Sequence, residues 1–146
     1  MPGIFMYTET KKQLVIDEGR KNRLYKCTAN KLTIGIGYNI EDNGLPDHII
    51  DQLFEESFDI ALGDAVSFVG DPGIWELLDE ARQGVIINMA FNMGLPTLRE
   101  FKRFRKAILR GDFDQASVEM LESMWAYQVP ERAERLAEIM AYGADE

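Results

Sequence analysis

The sequence predicts an α+β protein, mostly helical, in which a small N-terminal β-hairpin lobe is joined by a long helix to a helical lobe. Three observations carry this expectation. Two short β-prone runs, "RLYKCT" and "KLTIGIGYNI", flank a turn at Ala29-Asn30-Lys31. Apolar or small residues at 49, 50, 53, 54, 58, 61, 62, 65, 66 and 69 hold helical period without a break. The segment "ARQGVIINMAFNMG" (81–94) is apolar nearly all round, as a helix at the centre of a helical lobe would be.

In chain order, Tyr7, Lys11, Leu14, Val15 and Glu18 fall at helical spacing, so residues 5–18 read as a helix that Gly19 stops. The β lobe occupies about residues 19–45. A hairpin centred on Asn30 would set Cys27 and Thr33 opposite each other on one face. "EDNGLP" (41–46) reads as a turn, with Pro46 at the first position of the connecting helix, 46–69. That helix would span about 36 Å, about the diameter of a small domain. The break "GDPG" (70–73) opens the helical lobe, about 70–146 together with the N-terminal helix 5–18, with a short helix and then the central one, which Gly94 and Pro96 end. Three more helices follow: 98–109, 112–122 with Asp112 as N-cap, and 130–142 with Pro130 at its start.

At 146 residues, 46% hydrophobic, the chain is long enough for one substantial core and short for two independent domains. No stretch approaches the roughly 20 apolar residues of a membrane span, and the opening "MPGIFMYTETKKQLVIDEG" carries charges where a signal peptide needs its apolar run. A protein made and folded in a cytoplasm is expected, and the single cysteine agrees with a reducing compartment. Sixteen basic against 25 acidic residues give a net charge of −9, which argues against nucleic-acid and membrane partners. One segment, "LREFKRFRKAILR" (98–110), runs against that trend. It reads either as a solvated helix face or as a landing site for an anionic polymer.

Among residues suited to chemistry, Glu18 ends an apolar stripe at the negative end of its helix dipole. Desolvation and the dipole both raise a carboxyl pKa, as a general acid requires. The alternative is a glutamate fraying into solvent. Cys27, the lone cysteine, is either a small buried hydrophobe or a reactive thiol. Lys26 adjoins it in sequence but points to the other face of the strand. His48 has no metal-ligand cluster near it, Met89 and Met93 read as core filler, and no phosphate loop or cofactor motif is present. No cofactor and no metal are expected.

"IDEG" (16–19), "LYKCT" and "LTIGIGYN" resemble the active-site region of the phage-type lysozymes, the T-even bacteriophage lysozyme family of glycoside hydrolases. "RQGVIINMAFNMG" (82–94) resembles that family's central helix, and "WAYQVPERAERL" (125–136) its Trp-x-x-Gln-x-Pro-x-Arg-Ala segment. The blocks occur in the family's order. The resemblance implies a β lobe and a helical lobe facing each other across a cleft. It puts Glu18 on the catalytic acid, Thr33 on the catalytic threonine, and Arg132 on the arginine that pairs with the acid. Gln128, Asn88, Asn92 and Trp125 match or adjoin positions that line or support the cleft. Cys27 stands where the commonest pattern has an aspartate, and some members carry Cys there. Tyr38 replaces the histidine that follows "GIG", and Ser57 its aspartate partner, which implies a changed structural contact.

The implied activity is that of a muramidase on the β-1,4 bond between N-acetylmuramic acid and N-acetylglucosamine in bacterial peptidoglycan. Glu18 would act as acid, with Cys27 and Thr33 activating water. Direct attack by Cys27, a lytic transglycosylase and a non-catalytic peptidoglycan-binding protein stand as alternatives. A monomer is expected. It would reach the wall from the host cytoplasm through a holin or lysis, as resembling endolysins do, or ride in a virion.

Overall fold

The computed structural model describes residues 7–144, which divide into two compact units, up to Asp51 and from Gln52 on. The first unit opens with helix α1, Thr8–Glu18. The sequence expectation began this helix at Phe5; residues 5 and 6 lie outside the described residues. Gly19, at φ 76°, ends α1 by donating its N–H to the Val15 carbonyl.

Strands β1 (Lys21–Lys26), β2 (Leu32–Gly35) and β3 (Tyr38–Asn39) form one antiparallel sheet in that order. Tyr25 pairs with Thr33 and Lys26 with Leu32, so the first hairpin is centred on Ala29. Asn30 donates its N–H to the Cys27 carbonyl and takes the left-handed conformation at φ 61°, which asparagine tolerates. The expected centre on Asn30 is therefore one residue late. Cys27 lies just past β1, where its N–H donates to the Lys31 carbonyl. Because side chains alternate with period two, Cys27 and Thr33 still share a face, as diagonal rather than direct neighbours.

The second turn, Gly35-Ile36-Gly37, joins Ile34 to its partner Tyr38, with both glycines near φ +70°. Where a turn was expected after residue 40, helix α2 (Ile40–Asn43) forms, with the Asn39 side chain accepting from the Asp42 N–H. The Tyr38 hydroxyl donates to the Gly44 carbonyl and fastens this helix to β3.

Helix α3, Asp47–Val69, begins in the first unit and ends in the second. Pro46 stands just before it, its carbonyl accepting from Ile49 and Ile50. The second unit continues with α4 (Pro72–Leu77), α5 (Glu80–Met93), α6 (Leu95–Leu98), α7 (Lys102–Leu109), α8 (Phe113–Leu121), α9 (Met124–Gln128) and α10 (Pro130–Tyr142). Asp112 caps α8 as expected, accepting from the Gln115 N–H at 3.1 Å. Helix α9 was not anticipated; Ser123 caps its start.

The core of this unit gathers Phe68 and Val69 of α3, Ile86 and Met89 of α5, Phe104 and Ile108 of α7, Met120 of α8, and Leu136 and Met140 of α10. Alanines 116, 133 and 137 are buried where α8 meets α10, and the Ser117 hydroxyl donates to the Ala137 carbonyl at 2.8 Å. Helix α5 buries Val85, Ile86, Met89 and Ala90 but leaves Gly84, Phe91 and Asn92 exposed. It is thus one-sided rather than apolar all round, because glycine, phenylalanine and asparagine fall together on its remaining face.

Candidate active site

The first hairpin turn brings polar groups up to one sulfur. Backbone N–H of Lys31, the Thr33 hydroxyl and backbone N–H of Ala29, in that order of effect, hold the Cys27 thiol below its ordinary pKa. The short loop causes this, since it curls the amides of residues 29 and 31 back toward position 27. Thr33 is buried at 2% exposure, and its hydroxyl also donates to the Lys31 carbonyl at 2.8 Å.

Lys31 supplies the nearby positive charge. Its ammonium reaches Asp42 at 3.2 Å and Glu41 at 3.8 Å, and Asp42, Glu41 and the thiolate of Cys27 together raise its pKa. Asp42 is correspondingly lowered by Lys31 and then by Asn39. Glu41 in turn accepts from the Leu32 N–H at 2.9 Å, and Lys26 reaches Glu41 at 3.9 Å. Lys26 thus belongs to the acidic end of α2, as its strand parity required, and Lys31 is the cation that sequence reading passed over. Its position four residues after Cys27, across a tight turn, was the available signal.

Glu18 meets the other turn of the same sheet. A Cβ on Gly37 would stand 2.6 Å from Glu18 Oε2, so the carboxyl lies directly on that glycine's backbone. The expected apolar stripe is absent: no residue of α1 is buried, and Leu14, Val15 and Ile16 are exposed. Three consecutive apolar residues sweep about 200° of a helix at 100° per step, too wide for one seam. Glu18 itself is exposed.

In the second unit, Arg132 Nε donates to Asn88 Oδ1 at 2.8 Å, and Trp125 Nε1 to Asn92 Oδ1 at 2.7 Å. The two asparagines lie one turn apart on α5 and each fixes one residue brought in from the C-terminal segment. Arg132 and Asn88 line a groove of about 480 Å³ with Phe54, Phe58, Phe91 and Gln83. Phe54 stands 6.0 Å from Phe91, ring centre to ring centre. Trp125 and Gln128 line a different groove, of about 620 Å³, beside Phe101, Glu119 and Glu122. The support residues are thus divided between two surfaces of this unit. Tyr38 lies in the first unit, occupied with Gly44. Phe54 and Phe58 had been read only as part of a helical period, and Phe91 only as part of the apolar central helix.

Among the described residues, no group of three or more His, Cys, Asp or Glu could hold a metal ion, and no helix is long and apolar enough to cross a membrane. No family model matches the chain. Two proteins of Dictyostelium discoideum, "Probable T4-type lysozyme 2" and "Probable T4-type lysozyme 1", are 27% and 29% identical to it over 164 residues, covering 94% of this chain and 96% of each relative. The "Pre-baseplate central spike protein Gp5" of Enterobacteria phage T4 is 28% identical over 152 residues, 87% of this chain and 26% of that protein. With its small three-stranded sheet followed by a helical unit, the chain is similar nearly end to end to two proteins described as T4-type lysozymes.

Proposed function

We propose that the protein is a muramidase, hydrolysing the β-1,4 bond between N-acetylmuramic acid and N-acetylglucosamine in peptidoglycan. The observation that carries the reading is the convergence of three groups on one small sheet. Cys27 and Thr33 share a face at its first turn, where the Thr33 hydroxyl helps to hold the thiol pKa down, and the Glu18 carboxyl lies against its second. Glu18 donates its proton to the glycosidic oxygen as the C–O bond breaks and the bonding pair leaves with that oxygen. A water held by Cys27 and Thr33 attacks the anomeric carbon from the opposite face. Its proton passes to the Cys27 sulfur, and exchange with solvent then returns Glu18 to its acid form and Cys27 to its thiolate. This course inverts the anomeric configuration.

The lowered thiol pKa favours a second reading. A thiolate is a nucleophile as well as a base, and direct attack would give a covalent glycosyl-cysteine that water resolves with net retention. Arg132, Asn88 and the phenylalanine-lined groove fit a supporting role, the aromatic faces against sugar rings and the guanidinium toward carboxylates. Gln128, Asn92 and Trp125 are read as support for the same substrate. Peptidoglycan is the partner. Synthesis in a host cytoplasm with release by a holin or lysis, as a monomeric endolysin, is one setting; the likeness to a baseplate spike protein suggests virion carriage as another.

Purified peptidoglycan incubated with the protein and with Glu18→Gln tests the reading. Clearing by the parent alone, with reducing-end disaccharides by mass spectrometry, is the expected result. Anhydro-muramic products would identify a lytic transglycosylase. Tight wall binding without any cleavage would overturn the enzymatic assignment in favour of a binding protein.

A further inference from the structure

We propose that the groove between the end of α3 and the face of α7 is a binding site for a phosphate group. It measures about 460 Å³ and is lined by Ser67, Phe68, Arg99, Lys102, Arg105 and Lys106, with no carboxylate among them. The chain carries a net charge of −9, so four cations around one groove are held there against the protein's own composition. Among the described residues, none of the four has a carboxylate within salt-bridge distance, whereas Arg110 of the same segment pairs with Asp112.

The bland explanation is that these cations serve the C-terminus of α3, whose carbonyls carry the negative end of the helix dipole. Arg105 does this: its Nε donates to the Phe68 carbonyl at 2.9 Å and its Nη2 to the Val69 carbonyl at 3.0 Å. The dipole amounts to about half an elementary charge, which one guanidinium more than offsets. Arg99, Lys102 and Lys106 are left over. Arg99 Nη2 donates to Ser67 Oγ at 3.0 Å, which orients both a guanidinium and a hydroxyl at the rim.

The donor set selects the ligand. A planar carboxylate is satisfied by one guanidinium fork in its own plane. Here donors come from the end of α3, from the loop before α7 and from two successive turns of α7, a spread that suits the tetrahedral oxygens of a phosphate bearing up to two charges. Lys102 and Lys106, at i and i+4, act as point charges that need no fixed geometry. This site is separate from the residues assigned to cleavage and does not depend on that assignment.

The test is a titration of isotope-labelled protein with inorganic phosphate, followed by NMR at constant ionic strength, with acetate in parallel. Saturating shifts at Ser67, Arg99, Lys102, Arg105 and Lys106 with phosphate and none with acetate are expected. The Lys102→Gln/Lys106→Gln variant should bind about tenfold or more weakly, the effect of two unit charges at some 5 Å in a solvated groove. Its unfolding midpoint, measured alongside, should match the parent's. Equal saturation by acetate, or unchanged affinity in a folded double variant, would overturn the proposal. Vesicles of phosphatidylglycerol and of phosphatidylcholine identify the source. Binding to the former alone, displaced by phosphate, makes it a lipid headgroup; no vesicle binding with retained phosphate shifts makes it a soluble phosphate.

Discussion

The carboxyl of Glu18 rests on the backbone of Gly37, so closely that a methyl group there would stand 2.6 Å from Oε2 and 2.8 Å from Cδ. Gly35, two residues earlier, has nearly the same left-handed backbone, φ 69° against 68°, but open space around its missing Cβ. The pair separates two costs that glycine substitutions usually mix. Gly35→Ala and Gly37→Ala should each lose about 1–2 kcal/mol of stability in chemical unfolding from the positive φ alone. Only Gly37→Ala should also lose wall-clearing activity, by about a hundredfold, because it displaces Glu18, the acid of the proposed mechanism. Equal activity in the two variants would show that the Glu18–Gly37 contact has no bearing on cleavage.

Position 27 decides between water activation, nucleophilic attack and packing. If the sulfur activates water, Cys27→Asp should keep clearing activity within about tenfold while Cys27→Ala loses about a hundredfold or more. If it attacks the sugar, a covalent adduct at Cys27 should be trapped with a slow substrate and seen by intact mass. Full activity in Cys27→Ala, or after complete alkylation, would reduce the thiol to filler.

The pH dependence follows from the cradle around that thiol. Donation by the Lys31 amide and the Thr33 hydroxyl favours the thiolate, so iodoacetamide should react with Cys27 on a pH profile displaced below that of a free thiol. Thr33→Val removes the second of those donors and should move the profile toward higher pH. The linkage has the sign of an acid with a depressed folded-state pKa: its stabilisation is complete above the thiol pKa of the unfolded chain. It is lost as pH falls through the lowered folded value. A profile unmoved by Thr33→Val would contradict the hydroxyl–sulfur contact.

Asn92 accepts from the indole of Trp125, which is 5% exposed. Asn92→Leu leaves the buried N–H without its partner and should cost about 1–3 kcal/mol in chemical unfolding. Asn88→Ala instead releases Arg132, a half-buried group, and should raise the KM for wall fragments more than it lowers the unfolding midpoint.

Arg105 holds the last carbonyls of α3, and its two charge-assisted bonds should make Arg105→Ala cost about 2 kcal/mol or more. Lys102→Ala, a solvent-facing neighbour on the same helix, should cost less than about 0.5 kcal/mol. Comparable losses in the two would remove the capping role.

By itself the sequence determined where the chain turns and which periods run between the turns. Period 3.6 from 49 to 69 became α3, and Asp112 and Pro130 fixed the starts of α8 and α10. The hairpin with Cys27 and Thr33 on one face survived a shift of centre, because parity is unchanged when the partner moves by two residues. These signals are local, carried by neighbours along the chain. What only the tertiary structure decided is which groups meet across sequence distance. Glu18 lies on Gly37, Lys31 rather than Lys26 accompanies the thiol, Asn88 and Asn92 each grip a C-terminal residue, and Arg105 reaches back to the end of α3. Those meetings depend on backbone direction at tight turns and on how helices pack, and a one-dimensional pattern of polarity encodes neither.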